Sequence, residues 1–522
     1  MVLRDGRTIS ALTVGALTTV MAALTPATAF AAGDPLQPYA QQELRWERCD
    51  AGRPAAFECA KVKVPLDYGD PGGRKIEVAV SRVAATNPGE RHGVLLMNPG
   101  GPGGPGLTMP VEMEPLLPAA VRERFDLIGF DPRGVGQSSP IGCDLTGDEQ
   151  TVLHPYSART FAKDVARARS VADKCWAKAG DLLPHLTTRN TARDMDVVRA
   201  ALGERRISYF GHSYGTYLGS VYLQMFPRRA DRFVLDSALD PALAWRGVFR
   251  GWAPGAELAF TRWTEWAAAR DAAFGLGATP AEVRRTYWEL VARADRTPVP
   301  IEGGALDGGA IRSAYAEFVH VEAVTPWIVA LKAAAAGGTP APATAAAASA
   351  AASAASEPGA AGAVAPGAGA RAGAGAFTAD VPADNPAAVT WAVSCGDTRS
   401  WPRNPEQYRQ DAIRDRARYP LAGDLGATIQ PCAFWKSPAG EPATVVNNDA
   451  GALIVQNAWD PRTTLAMAQG MRRALHGARM VTVAGGEGHG VVVNGPSCAD
   501  PAVARYLTTG RLPAEDATCG GR

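Results

Sequence analysis

Residues Ile207-Ser208-Tyr209-Phe210-Gly211-His212-Ser213-Tyr214-Gly215-Thr216 lead from an apolar strand-like stretch, through a glycine-flanked serine, into the helix-like residues 216–225. Glycines two positions either side of Ser213 let the turn close against neighbouring backbone and hold the serine in a strained conformation with its hydroxyl exposed. In its strand-turn-helix setting this Gly-x-Ser-x-Gly pattern is a nucleophile elbow. A serine hydroxyl is too weak an acid to attack unaided, so the elbow calls for a general base elsewhere in the chain.

Working outward, residues 93–97, 125–130 and 233–235 are apolar runs bounded by Gly and Pro, as strands buried on both faces require. Residues 62–66 and 75–83, joined by the turn cluster 69–73, read as a hairpin at one sheet edge. Residues 158–180 and 191–202 have helical spacing, the second capped by Thr191. Strands alternating with helices predict an α/β, mostly parallel, doubly wound sheet. The alternation stops after residue 235 and resumes with a strand at 452–456, a helix at 462–475 and a strand at 479–484. The intervening stretch is Trp-, Ala- and Arg-rich with helical periodicity over 245–294, and residues 333–376 form an Ala/Gly-rich surface insertion. The expected division is a core formed by 33–240 and 441–522, with 241–440 as a helical lid inserted after the strand that follows the nucleophile helix. Such a lid would cover the carboxyl ends of the strands, where these sheets bind ligands.

The bulk composition narrows the partners. Of 522 residues, 53 are Lys or Arg and 52 Asp or Glu, a net charge of +1 that gives no general attraction to nucleic acid or acidic membranes. Residues 1–32 read as a secretory signal peptide: Arg4 and Arg7, a short apolar stretch, then Ala29-Phe30-Ala31. With no Cys at the cleavage site, a free secreted protein is expected rather than an anchored one. The eight cysteines contain no C-x-x-C pair and no zinc-type His spacing, so disulfides are expected and metal is not. Pairing neighbours closes local loops: 49 with 59, 143 with 175, 395 with 432, and 498 with 519.

In this architecture the chain order is Ser, acid, His. Among the seven histidines, His92, His154, His185 and His212 precede or adjoin the serine, His320 falls in the insertion, and His476 closes a helix. His489 alone sits in a glycine-rich loop, 485–490, just beyond a strand. The acid should end a strand between Ser213 and His489; Asp460 is favoured, with Asp236 and Asp240 as rivals. An oxyanion needs two backbone N–H donors, one from Tyr214 and one from the loop Asn98-Pro99-Gly100-Gly101-Pro102-Gly103-Gly104-Pro105-Gly106.

Six motifs in order carry a family resemblance: the Pro-Gly-Gly-Pro-Gly loop, Gly-Phe-Asp-Pro-Arg-Gly-Val-Gly-Gln-Ser, Gly-His-Ser-Tyr-Gly-Thr, Val-Leu-Asp-Ser, Trp-Asp-Pro and Gly-Glu-Gly-His-Gly. From about Trp46 onward, apart from the Ala/Gly tract, the chain resembles the exported tripeptidyl aminopeptidases of actinomycete type, α/β-hydrolases related to prolyl aminopeptidases. The resemblance implies Ser213, Asp460 and His489 as a triad, Gly101 and Tyr214 as oxyanion donors, no cofactor, and peptide N-termini as substrate. Prolyl aminopeptidases carry His where this loop has Pro99, so that residue's role does not transfer. An aminopeptidase needs an anion for the substrate's ammonium; Glu487, Glu317, Glu322 and Asp240 are the candidates. An esterase on the same scaffold is the alternative.

Overall fold

The strands are β1 (Glu47–Arg48), β2 (Phe57–Pro65), β3 (Lys75–Val83), β4 (Gly93–Asn98), β5 (Phe125–Phe130), β6 (Ile207–His212), β7 (Ala230–Asp236), β8 (Val299–Ile301), β9 (Gly304–Leu306), β10 (Leu453–Trp459), β11 (Arg479–Glu487) and β12 (Ala517–Cys519). In the computed structural model, which describes residues 34–50, 52–342, 379–436 and 440–520, ten of them form one sheet in the order β1-β2-β3-β5-β4-β6-β7-β10-β11-β12. From β5 to β12 every pairing is parallel; β1, β2 and β3 add an antiparallel edge. The expected hairpin is β2–β3, with two-residue β1 outside it. The signal-peptide reading and most of the Ala/Gly tract fall outside the described residues. Among the described residues no helix is long and apolar enough to cross a membrane.

The central strands have no solvent face. Along β4, Val94 and Leu96 join one core while Leu95 and Met97 join the other, so alternate side chains feed helical layers on both sides. On one face lie α1 (Phe161–Ala179), α2 (Thr188–Ala201) and α3 (Tyr214–Met225). The cap of α2 is Thr187, whose hydroxyl accepts from Asn190 N–H at 3.2 Å; Thr191 lies inside the first turn and donates to the Thr187 carbonyl.

The stretch 241–440 divides by packing. The first half of α4 (Arg246–Ala268) buries Val248 and Phe249 in the sheet's core, whereas its second half, with α5 (Pro280–Arg296) and α6 (Val321–Ala335), encloses a separate core around Phe260, Trp263, Tyr287 and Trp327. Helix α7 (Asn385–Gly396) returns to the sheet's core through Ala388 and Trp391. The strand alternation then resumes at β10, followed by α8 (Leu465–Ala474).

All eight cysteines are paired, Cys49–Cys59, Cys143–Cys175, Cys395–Cys432 and Cys498–Cys519, the neighbour pattern expected.

The Asp-Pro-Arg-Gly turn after β5 is anchored by Arg133, which is 1% exposed. Its Nε and Nη2 donate to the Asp194 carboxylate at 2.7 and 2.6 Å, and its remaining hydrogens go to the carbonyls of Pro65, Leu66 and His185. Arg133→Met would leave the Asp194 charge buried without its guanidinium, with the neutral Tyr68 hydroxyl still donating to it at 2.8 Å. The expected loss is about 3–5 kcal/mol in equilibrium urea unfolding; a change below about 1 kcal/mol would mean that the pair is dispensable.

Candidate active site

Ser213 ends β6 and starts α3, with φ 56° and ψ −121°, a conformation an L-residue tolerates only when the surroundings impose it. Here its N–H is held by the Asp236 carbonyl at 3.0 Å, and its own carbonyl accepts from the Thr216 N–H and hydroxyl at 2.9 and 2.6 Å. The glycine-rich loop after β4 packs directly on this turn. A Cβ at Gly100 would sit 2.5 Å from the His212 carbonyl oxygen and 3.0 Å from the Ser213 Cβ, so only glycine allows the approach. As the first residue of α3, Tyr214 has a main-chain N–H with no partner within its own helix.

The loop is braced from two sides. Asp131 Oδ1 accepts from Gly106 and Leu107 N–H at 2.8 and 3.1 Å, while Oδ2 accepts from Gln137 N–H at 2.8 Å; burial nevertheless pushes this carboxyl up to about 6. From α7, the Thr390 hydroxyl donates to the Pro102 carbonyl at 2.7 Å. Gly101, Ser213 and His489 line one cavity of about 80 Å³.

His489 lies two residues beyond β11, which is longer than expected and runs to Glu487. Its Nδ1 is 3.1 and 3.0 Å from the two carboxylate oxygens of Asp460, which lies one residue past β10 and is itself fully buried. Burial raises the Asp460 carboxyl, but the His489 charge, its hydrogen bond and the Thr463 hydroxyl outweigh that and hold it below the usual carboxylate range. Thr463 donates to Oδ2 at 2.7 Å; the N–H groups of Arg462 and Thr463 donate to Oδ1 at 2.9 and 3.0 Å.

Asp236, the rival at the end of β7, lies elsewhere in the network. Its carboxylate accepts from the N–H groups of Val491, Val492 and Val493 at 2.7, 2.9 and 3.4 Å, and burial pushes it up to about 6. Ser237 Oγ accepts from Gly490 N–H at 2.8 Å, and Asn457 Nδ2 donates to the carbonyls of Glu487, Gly488 and Gly490. These three side chains clamp the His489 loop on both flanks. Sequence reasoning missed Asn457 and Ser237, although a polar residue inside the apolar run of β10 is a signal, since buried amides must be bonded. It also missed His212, whose ring lies 4.5 Å from that of His489, with Nδ1 3.1 Å from the Pro99 carbonyl. Burial first, and the His489 charge second, lower its pKa to about 3, so it stays neutral.

None of the four carboxylates considered for a substrate amine lines the Ser213 cavity. Glu487 pairs with Arg262 and lies 3.7 Å from His320 Nδ1. Glu322 is exposed on the first turn of α6, and Glu317 lies in the preceding turn of 3₁₀ helix. Asp240 turns back to accept from Ala242 N–H at 2.9 Å and presses on Gly470, where a Cβ would be 2.0 Å from its Oδ2.

The mostly parallel sheet and the serine-bearing turn at its centre define a serine hydrolase of the α/β-hydrolase fold. A family model described as alpha/beta hydrolase fold matches residues 93–293, and one described as TAP-like protein matches residues 419–519. The chain is 33% identical to the tripeptidyl aminopeptidase of Streptomyces lividans over 497 residues, covering 92% of this chain and 87% of that one, and it belongs to the tripeptidyl aminopeptidase family. It is also 31% identical to a carboxylesterase B of Mycobacterium tuberculosis, over 93% of this chain and 91% of that one. The serine protease Hip1 of the same species is 36% identical over 49% of this chain and 51% of its own length.

Proposed function

We propose that this protein is a secreted serine exopeptidase that releases short peptides, tripeptides in the first instance, from free N-termini. Ser213 Oγ attacks the peptide carbonyl; His489 Nε2 takes the proton and returns it to the leaving amine; water then cleaves the acyl-enzyme by the same route. Asp460 keeps the imidazole proton on Nδ1 and stabilises the imidazolium. The N–H groups of Tyr214 and Gly101 receive the oxyanion. Every step uses the chain's own groups, without a cofactor. The observation that carries the reading is the buried Asp460 carboxylate 3.0 Å from Nδ1 of a histidine that shares a cavity with Ser213. Kinship with tripeptidyl aminopeptidases supports the peptide substrate. Export is supported by the signal-like residues 1–32 and by four disulfides, which persist in oxidising compartments. In this reading 33–240 and 441–522 form the hydrolase core together with the first half of α4 and α7, which pack into it, and the second half of α4 with α5 and α6, around their separate core, acts as a lid that limits access to chain ends.

The test is mass analysis of products from one long peptide with its N-terminus free or acetylated. Successive tripeptides are expected from the free form, and at least a hundredfold slower cleavage from the acetylated one. Equal cleavage of both would rule out recognition of the amine. A second reading, an esterase, is favoured by the similarity to carboxylesterase B and by a Ser213 cavity without a lining carboxylate. Ester turnover with no peptide cleavage would establish it.

A further inference from the structure

We infer that the cavity beside Ser213 is the S1 subsite and selects a short aliphatic side chain, of the size of valine, leucine or proline, on the residue whose carbonyl is attacked. The inference rests on the function proposed above and adds a substrate class to it.

The wall is apolar and rigid. Leu239, Trp245, Val248, Phe249, Trp252 and Leu153 supply most of it, and the first four are at most 6% exposed. Trp245 cannot swing aside freely, because its indole N–H donates to the buried Asp397 carboxylate at 2.9 Å; Phe249 and Trp252 meet edge to face with ring centres 5.2 Å apart. A close-packed wall of this kind reads side-chain volume.

Size and charge follow from the same lining. An apolar cavity of roughly 150 Å³ takes a benzene ring, whereas this one offers about 80 Å³, room for a few methylene groups. Among the lining residues only Arg462 and His489 have ionisable side chains. A lysine would lose its hydration without gaining an anion. An aspartate could approach Arg462 only by desolvating against the tryptophans, which makes it the sharpest counter-test.

The experiment measures kcat/KM for Ala-Ala-X p-nitroanilides with X as Gly, Ala, Val, Leu, Pro, Phe, Asp or Lys. In parallel it uses p-nitrophenyl esters running from acetate through 3-methylbutanoate to benzoate. Val, Leu and Pro are expected to exceed Ala by about tenfold or more, since filling an apolar pocket by a methylene or two is worth that much; Phe, Asp and Lys should fall below Leu by at least as much. Leu153→Ala, at the half-buried rim, should raise Phe relative to Leu by about tenfold, and Val248→Phe should lower Leu relative to Ala by about tenfold. If the peptides are inert and the esters show the same optimum, the peptidase reading fails while the cavity assignment holds for the acyl group. Peptides cleaved with a flat ranking, or best with Asp or Phe, and a ranking unmoved by both variants, would overturn the assignment and leave the peptidase reading intact.

Discussion

Ser213→Ala is expected to lower kcat by about 10⁶-fold with little change in KM or unfolding temperature. The methyl group fits wherever the hydroxymethyl did, and the turn is held by main-chain contacts: the Ser213 N–H to the Asp236 carbonyl and the Ser213 carbonyl to Thr216. What disappears is the hydroxyl proposed to form the acyl bond. A residual rate of about 10³–10⁴ over water would survive from substrate positioning and from the N–H groups of Tyr214 and Gly101 proposed to receive the oxyanion. Labelling with a fluorophosphonate gives an independent readout: one adduct per chain on residue 213 in the parent and none in the variant. Activity above about a tenth of the parent's would move the nucleophile elsewhere.

The features legible in the sequence share a physical origin. Strands β4, β5, β6 and β7 stand out because burial on both faces leaves no room for polar alternation, and the elbow because its glycines and serine serve adjacent steric needs. His489 emerged by elimination among few histidines. What stayed hidden depends on tertiary contacts. Helix α7 is buried over nearly its whole circumference, so Asn385–Gly396 has no apolar stripe to reveal it, yet its Thr390 supports the glycine-rich loop after β4. The segment after Asp460 looks helical from residue 462, but the Asp460 carboxylate captures the N–H groups of Arg462 and Thr463 and delays α8 to Leu465. The Asp236 carboxylate stands at the end of its strand where a catalytic acid would. Only coordinates reveal that its oxygens are occupied by main-chain N–H groups 255 to 257 residues away.

That distinction sets the second large prediction. Asp460→Asn is expected to lower kcat about 10⁴-fold at neutral pH, because an amide can accept no hydrogen bond through nitrogen and can turn its NH₂ toward His489. The imidazole then keeps its proton on Nε2, the atom that must receive the serine proton, and the base is lost while the geometry survives. Asp236→Asn removes one acceptor from the clamp on residues 491–493 instead. His489 is held less firmly but keeps its tautomer, so a loss nearer a hundredfold is expected, the scale of a misplacement of about 1 Å. Proton NMR separates the two effects: a low-field resonance from the Nδ1 proton should be present in the parent, persist in Asp236→Asn, and vanish in Asp460→Asn. Should Asp236→Asn be the more damaging of the two and also abolish that resonance, the acid would belong to β7, and the 3.0 Å contact between Asp460 and His489 would be support rather than catalysis.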